Sequence, residues 1–395
     1  MAGNLSADVV VVGGGLVGCL AAWALAREGF QVRLVERGPE LGREASTAAA
    51  GMLSPQMEAA EDLLVEVPEA SSGWAMLELC LAARDGWPSF AGELESETGR
   101  DVHLRSDGTL VVALTPVEAG RLERSAGAQK ARGLRAELLD PAEARRLEPA
   151  VRPGVAAALL LPDDRQVDPV PLMEAVAMAV RSTPGLEVTT GTEARALLSE
   201  AERVTGIETD MGPLSAPRVV LAAGAWSGRL AGLPRALPVR PVKGQMAAVL
   251  PDRPLIRRVV GGRGAYCVPR DDGRIVIGAT VEERGYDGRV SRVEVDALIA
   301  AAGDVVAGLT EAPVVERWAG LRPGTPDSLP VLGADPELEG LLYATGHYRN
   351  GILLAPLTAA CLVALAAGRP PPVDLTPFAP DRPGLTAWTA PFAGR

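Results

Sequence analysis

The run Asp8-Val9-Val10-Val11-Val12-Gly13-Gly14-Gly15-Leu16-Val17-Gly18-Cys19 passes from strand to turn to helix within a dozen residues. Four consecutive β-branched valines are typical of a parallel strand buried on both faces. Gly13-x-Gly15-x-x-Gly18 follows without a gap. The segment from Cys19 to Glu28 is rich in alanine and leucine and reads as a helix, with Gly29 placed as its C-cap. Gln31-Val32-Arg33-Leu34-Val35 is then a second strand, ending at Glu36.

That spacing has a chemical purpose. Gly13 permits a tight turn, Gly15 lets the backbone approach a pyrophosphate, and Gly18 lets helix and strand pack closely. The helix N-terminus faces the phosphate charge. Glu36, about twenty residues on, can accept hydrogen bonds from ribose hydroxyls, which argues for an unphosphorylated 2′ position. Strand, glycines, helix and acid together indicate a dinucleotide site. Beyond Glu36, the segment Gly42-Arg43-Glu44-Ala45-Ser46-Thr47-Ala48-Ala49-Ala50-Gly51-Met52 is made of small residues with hydroxyls. Such a run lets backbone amides come close to a phosphate or a flavin ring. It equally fits a tightly packed helix start, and composition does not separate the two.

Working outward, Thr109 to Val112 and Val102 to Arg105 read as a hairpin turned at Asp107-Gly108. Pro116 to Arg146 reads as one charged, solvated helix, and Asp168-Pro169 opens another with Asp as N-cap and Pro at the first helical position. Arg218 to Ala223 is a buried strand running into Gly224. Val242 to Leu250, Ala265 to Pro269 and Arg274 to Ala279 form an antiparallel set, the last two joined around Asp271-Asp272-Gly273. Leu341 to Thr345 and the helix from Gly351 to Gly368 return to the buried α/β pattern, and a proline-rich, loosely packed tail follows Arg369. Parallel elements thus lie at both ends of the chain and antiparallel ones between them.

The length of 395 residues allows about two to three domains. A net charge of −11 argues against a nucleic-acid surface, which needs a basic stripe. Two histidines (His103, His347) and four cysteines (Cys19, Cys80, Cys267, Cys361) stand at no metal-ligand spacing, so neither a metal site nor a disulfide framework is expected. The uncharged stretches Val9–Ala26 and Gly351–Gly368 are broken by glycines and by Pro356, and read as buried helices rather than membrane spans. A cytoplasmic location with no membrane partner is expected.

Four blocks resemble a known family. These are Gly13 to Gly18, Ala45 to Leu53, Trp318-Ala319-Gly320-Leu321-Arg322-Pro323-Gly324-Thr325-Pro326-Asp327, and Thr345-Gly346-His347-Tyr348-Arg349-Asn350-Gly351-Ile352-Leu353-Leu354-Ala355-Pro356. Together they resemble the glycine oxidases of the thiamine pathway, in the D-amino acid oxidase superfamily of flavoenzymes. The resemblance spans nearly the whole chain. It implies an α/β plus α+β fold: a Rossmann-like FAD-binding domain (1–85, 150–238, 319–395) interleaved with an antiparallel-sheet substrate domain (86–149, 239–318).

It also implies non-covalent FAD. Gly13, Gly15, Leu16, Val17 and Gly18 would carry its ADP half, with Glu36 and Arg37 at the adenosine ribose. Ala45, Ser46, Ala50, Gly51 and Met52 match the family's pyrophosphate and flavin contacts, and Ala194 a backbone contact to adenine. Gly224 and the loop His347, Tyr348, Arg349, Asn350, Gly351, Ile352 and Leu353 complete the cofactor set. His347 is expected to be structural. For the substrate, Arg322 matches the family's carboxylate-binding arginine, whose planar fork lysine cannot replace. Tyr266 matches a tyrosine beside the substrate. Arg349 matches a second arginine, where a positive group could stabilise charge on a reduced flavin. Catalytic and substrate-binding roles are expected of all three. Gly264 and Ala265 precede Tyr266 where the family can carry a histidine, so the site entrance differs.

The implied chemistry is hydride transfer from a neutral amine's Cα to the flavin, which needs no strong side-chain base. The imine hydrolyses to an oxo acid and ammonia or enters thiazole synthesis, and dioxygen yields hydrogen peroxide. A homo-oligomer, specifically a homotetramer, is implied from the same source. Alternatives are a sarcosine or D-proline oxidase, a quinone-linked D-amino acid dehydrogenase, or a flavin-binding protein without oxidase activity. Cys267 and Cys361 match no recognised flavin linkage and read as buried thiols. Gly224-Ala225-Trp226-Ser227-Gly228 only imitates a nucleophile elbow, its serine standing one place late.

Overall fold

A computed structural model of the chain describes residues 7–61, 72–386 and 388. Its first sheet has six strands: β1 (Val9–Val12), β2 (Val32–Val35), β8 (Leu186–Thr189), β12 (Val219–Leu221), β18 (Val331–Ala334) and β19 (Leu341–Thr345). Their order is β18-β19-β12-β1-β2-β8, parallel except for β18. The four valines of β1 divide between two cores, as a period of two requires. Val9 and Val11 meet helices α1 (Leu16–Arg27), α6 (Pro169–Ser182) and α8 (Gly351–Ala366). Val10 and Val12 face the opposite core, shared with the sheet β9 (Ala194–Glu200), β10 (Arg203–Thr209) and β11 (Gly212–Ser215). Helix α8 carries the chain's densest apolar run and is buried within the first core, and no described helix is long and apolar enough to cross a membrane.

A second, eight-stranded sheet has the order β17-β13-β16-β15-β14-β4-β6-β5. It is built from β4 (Thr109–Ala113), β5 (Glu137–Leu139), β6 (Ala157–Leu161), β13 (Arg240–Val249), β14 (Val259–Gly262), β15 (Ala265–Pro269), β16 (Ile275–Gly278) and β17 (Val314–Gly324). One face packs on helix α7 (Arg292–Gly303), with Ile277, Cys267 and Leu298 in that core. The other face turns Met246, Val268 and Tyr266 toward the loop after Ala50. A short ribbon, β3 (Met52–Leu53) with β7 (Arg165–Gln166), helix α2 (Pro55–Glu61) and helix α3 (Ser72–Thr98) lie beside it.

Three expectations about local structure are corrected. Val102 to Arg105 makes no hairpin: β4 pairs antiparallel with β6 and parallel with β14, and Arg105 forms only an isolated bridge to Gln166. The left-handed backbone of His103 (φ 54°) breaks the extended run there. Pro116 to Arg146 is not one helix but α4 (Pro116–Ala131), then β5, then α5 (Pro141–Leu147). Thr115 with Glu118, and Asp140 with Glu143, each form a capping box, so the chain starts two helices where charge alone indicated one. The described part of the tail is packed rather than loose. Phe378 is buried and the Arg382 guanidinium holds Asp327 at 2.7 Å, while residue 387 and residues 389–395 lie outside the described residues. The helix opened by Asp168 stands as expected, its carboxylate accepting from the Val170 amide at 3.1 Å.

Candidate active site

A cavity of about 490 Å³ runs between the two sheets. Glu36 and Arg37, past the end of β2, line it with Thr192 and Ala194; Gly13, Gly15, Ser46 and Gly51 line it at the glycine turn and the small-residue loop; Met246, Tyr266 and Arg322 line it from the second sheet, with Arg349 before α8. Helix α1 starts at this cavity with Gly15 as N-cap, a residue with no side chain of its own to cap it. Its orphan amides and dipole therefore suit an anion there. Gly13 is required by its φ of +109° and by space, since a Cβ would stand 2.5 Å from the Ala222 carbonyl oxygen. The Leu16 amide donates to Ser46 Oγ at 2.9 Å, which draws the small-residue loop across the helix start. That loop is no helix start: it runs as turns and passes through Gly51 into β3.

Glu36 accepts from the Gly14 and Gly38 amides, each at 2.7 Å. Its carboxylate is thereby held at the glycine turn, with lone pairs left for ribose hydroxyls. Arg37 lies 3.7 Å over the Trp226 ring and pairs with Glu44 at 2.8 Å. Three further bonds pin the loop from behind. Arg270 donates to the Ala50 carbonyl at 2.7 Å, Val167 N to the Gly51 carbonyl at 2.8 Å, and Trp318 Nε1 to the Ala48 carbonyl at 3.0 Å.

On the side of the second sheet, the strands make a floor of glycines. Arg322 leans from β17 over Gly244 of β13, and Tyr266 leans from β15 over Gly278 of β16. A Cβ on either glycine would collide with the side chain above it. Strands β13 and β16 are neighbours, so the two side chains converge over one patch of backbone. Arg322 Nη1 donates to the Thr280 carbonyl at 3.1 Å, which fixes the guanidinium. Among the described residues no carboxylate pairs with it.

Most expected residues meet in this one cavity: Gly13, Gly15, Leu16, Val17, Glu36, Arg37, Ala45, Ser46, Ala50, Gly51, Met52, Ala194, Gly224, Tyr266, Arg322, and His347 through Ile352. Gly18 and Leu353 do not line it. A Cβ on Gly18 would strike the Gly13 carbonyl, so that glycine serves the helix–strand contact alone. Leu353 is buried among the helices, its carbonyl accepting from Trp87 Nε1 at 2.9 Å. Arg349 differs from expectation in its charge balance, because Glu58 Oε1 stands 3.6 Å from its Nε. Burial pushes the His347 imidazole down to about 4, and Nε2 is hydrogen-bonded to Thr358 Oγ1 at 3.1 Å. Burial thus favours its neutral form.

Sequence reasoning missed Glu58, Thr280, Gly244 and Gly278. Glycines inside strand patterns signal close approach to a backbone, so the last two had a legible mark. Glu58, on a short helix of ordinary composition, had none.

The model of one family, described as FAD dependent oxidoreductase, matches residues 8–365. The chain belongs to this family. Among relatives of these FAD-dependent oxidoreductases, a glycine oxidase of Pseudomonas aeruginosa is 36% identical over 378 residues, covering 95% of this chain and 99% of its own. A Bifunctional protein ThiO/ThiG of Trichormus variabilis is 36% identical over 91% of this chain, which spans 52% of that longer protein. The crystal structure of glycine oxidase from Geobacillus kaustophilus superposes with a TM-score of 0.88 at 36% identity, covering 95% of this chain and 99% of that one. The cofactor is FAD. The residues present fit it: a cavity lined by both sheets, a helix start whose N-cap is a glycine, and a carboxylate fixed at the glycine turn.

Proposed function

We propose that this FAD-dependent oxidoreductase oxidises glycine and other small amino acids to the imine, which water converts to an oxo acid and ammonia, with dioxygen reduced to hydrogen peroxide. The observation that carries the proposal is Arg322: a guanidinium fixed by Thr280, free of any acidic partner among the described residues, and set beside Tyr266 over a floor without side chains. Such a fork takes an α-carboxylate through two parallel hydrogen bonds. Tyr266 bounds the same patch and brings a hydroxyl to the substrate. Bound FAD supplies the two-electron acceptor. His347, whose burial makes it a far weaker base than an ordinary imidazole and whose Nε2 is bonded to Thr358, is unsuited to take the proton, so in this reading the substrate amine arrives without it. The glycines beneath let Arg322 and Tyr266 lie close against the sheet, and the identity to glycine oxidases favours glycine itself.

Within this reading, FAD lies along Gly13, Gly15, Leu16, Val17, Glu36, Arg37, Ala45, Ser46, Ala50, Gly51, Met52, Ala194 and Gly224, with residues 347–352 at the flavin. The six-stranded sheet serves the cofactor and the eight-stranded sheet the substrate, with changes near residues 86, 150, 239 and 319. Strand β6, inside the 150–238 segment, nonetheless pairs in the eight-stranded sheet. A homotetramer in the cytoplasm, feeding imine to thiazole assembly, completes the proposal; light scattering reads the first of these.

The test is anaerobic mixing of the holoenzyme with glycine, sarcosine, D-alanine and D-proline while flavin absorbance is followed. Bleaching by glycine, with peroxide released when air is admitted, supports an oxidase. Bleaching without peroxide moves the protein to the dehydrogenases. A yellow protein that none of the four reduces ends the amino acid oxidase reading.

A further inference from the structure

Strand β13 carries part of the floor beneath Arg322, and one bond of its ladder is made by a side chain. Gly244 and Met246 line the cavity, while Lys243 and Gln245 alternate with them and turn to the other face of the sheet. Past the end of β16 the chain runs on beside this strand. Lys243 and Glu282 exchange both backbone bonds, at 3.0 and 2.9 Å, and the Thr280 amide donates to the Gln245 carbonyl at 3.2 Å. A regular antiparallel pair would return the second bond from the Gln245 amide to the Thr280 carbonyl. Here the Gln245 amide donates to the Thr280 hydroxyl instead, at 2.8 Å. The carbonyl released in this way is the one that accepts from Arg322 Nη1 at 3.1 Å.

The hydroxyl serves as an acceptor there while its own proton goes to Glu282. Oε1 of Glu282 accepts from Thr280 Oγ1 at 2.6 Å and from Gln245 Nε2 at 2.7 Å. Gln245 is fully buried, and its Oε1 accepts from the Ser291 amide at 2.6 Å, which settles which way its amide points. Lys243 and Arg284 each hold a nitrogen 4.0 Å from Oε2 of Glu282 and keep a carboxylate in place behind the sheet. None of Gln245, Thr280 and Glu282 lines the cavity.

We infer that Thr280 and Glu282 are positioning residues for the substrate carboxylate: the hydroxyl takes the place of the Thr280 carbonyl in the ladder, and the carbonyl is thereby left to orient the Arg322 fork. This rests on the amino acid oxidase reading and extends it to residues behind the site. Without the hydroxyl, the Gln245 amide lacks its acceptor, and a buried donor left unmade is costly. The Thr280 carbonyl is the acceptor an ordinary ladder supplies, so it turns back to Gln245 and Arg322 loses its tether.

The experiment uses holoenzyme of the wild type, T280V, T280S, R322A and R322A/T280V. Acetate binding is read from the perturbation of flavin absorbance. Anaerobic bleaching by glycine gives a half-saturating concentration and a limiting rate. T280V should weaken acetate and raise the half-saturating glycine concentration about tenfold, equivalent to about 1.4 kcal/mol, while the limiting rate moves less than about threefold. T280S, which keeps the hydroxyl, should recover most of that loss. In the R322A background, adding T280V should change acetate affinity and the slope of bleaching rate against glycine by less than about twofold, because the two residues act as one unit. An acetate affinity unmoved in T280V overturns the inference, as does T280S binding as weakly as T280V. An equal tenfold loss in the R322A background also overturns it, since that marks a general loosening of the sheet. Should T280V fail to hold flavin, E282A removes the hydroxyl's acceptor with Thr280 intact, and wild-type acetate affinity there overturns the inference too. If acetate follows the expected pattern while glycine leaves the wild-type flavin oxidised, the positioning stands and the oxidase reading falls. Glycine bleaching with T280V unchanged gives the reverse.

Discussion

Arg322 has its fork held at one nitrogen by the Thr280 carbonyl, which leaves its remaining donors for the carboxylate proposed to bind there. Arg322→Ala should raise KM for glycine about a hundredfold, the scale of a lost bidentate charge-assisted pair. FAD absorbance per chain should stay at the wild-type value, because this side chain lines the cavity from the second sheet, whereas Glu36 lines it past β2 of the first; a parallel loss of flavin would contradict that division. His347 gives a pH prediction of definite sign. Its folded pKa lies near 4, below the ordinary 6.5, because burial disfavours the charged ring. Between those values the unfolded chain binds the extra proton, so this group's contribution to stability is intact above 6.5 and is lost as pH falls toward 4. The pH profile of kcat/KM should accordingly rise with deprotonation of the substrate amine and show no limb at the usual histidine position. A limb near 6.5 that disappears in His347→Asn would show that this ring does titrate during turnover.

The loop from Ala45 to Met52 is shaped at the level of elements, since it is held from strands and helices around it. Arg270, at the end of the antiparallel pair, reaches the Ala50 carbonyl while its Nε stands 3.5 Å from Asp168, the N-cap of α6. Arg270→Met should weaken FAD binding about tenfold, the worth of one hydrogen bond from a charged donor, while leaving KM for glycine within about twofold once flavin is saturating. Flavin release on dilution measures it. Elements also show where the sequence was legible. Valine runs, the glycine turn, Gly29 and the Asp168-Pro169 start all carry local signals, and all stand where the local chemistry puts them. Val102 to Arg105 alternates like a strand, yet β4 finds better partners in β6 and β14, which lie far along the chain. Long-range pairing leaves no mark in a short window. Glu58 illustrates the same limit in the site: its meaning comes from Arg349 and Asn350, nearly three hundred residues away, and the chain supplies no local cue to that meeting.

At the scale of the whole molecule, the cavity is walled by both sheets, so bound FAD ties together parts of the chain that otherwise share few covalent neighbours. Holoenzyme should unfold at a temperature on the order of 5–10 °C above apoprotein when FAD is present at about a thousand times its Kd, which adds about 4 kcal/mol to the folded state. Differential scanning calorimetry at two FAD concentrations checks this, and a melting temperature indifferent to FAD would mean that the walls do not close on it. The C-terminal segment belongs to the same assembly, since Arg382 ties it to Asp327, just past the strand that bears Arg322. The bare floor formed by Gly244 and Gly278 has a consequence for anyone who wishes to redirect this protein to a new substrate. Those two positions tolerate no added atom without displacing Arg322 or Tyr266, so a randomised library gains nothing by varying them. Useful diversity has to be sown elsewhere on the lining, at Glu58 and Met246, where a changed side chain alters what fits while the anchor beneath stays put.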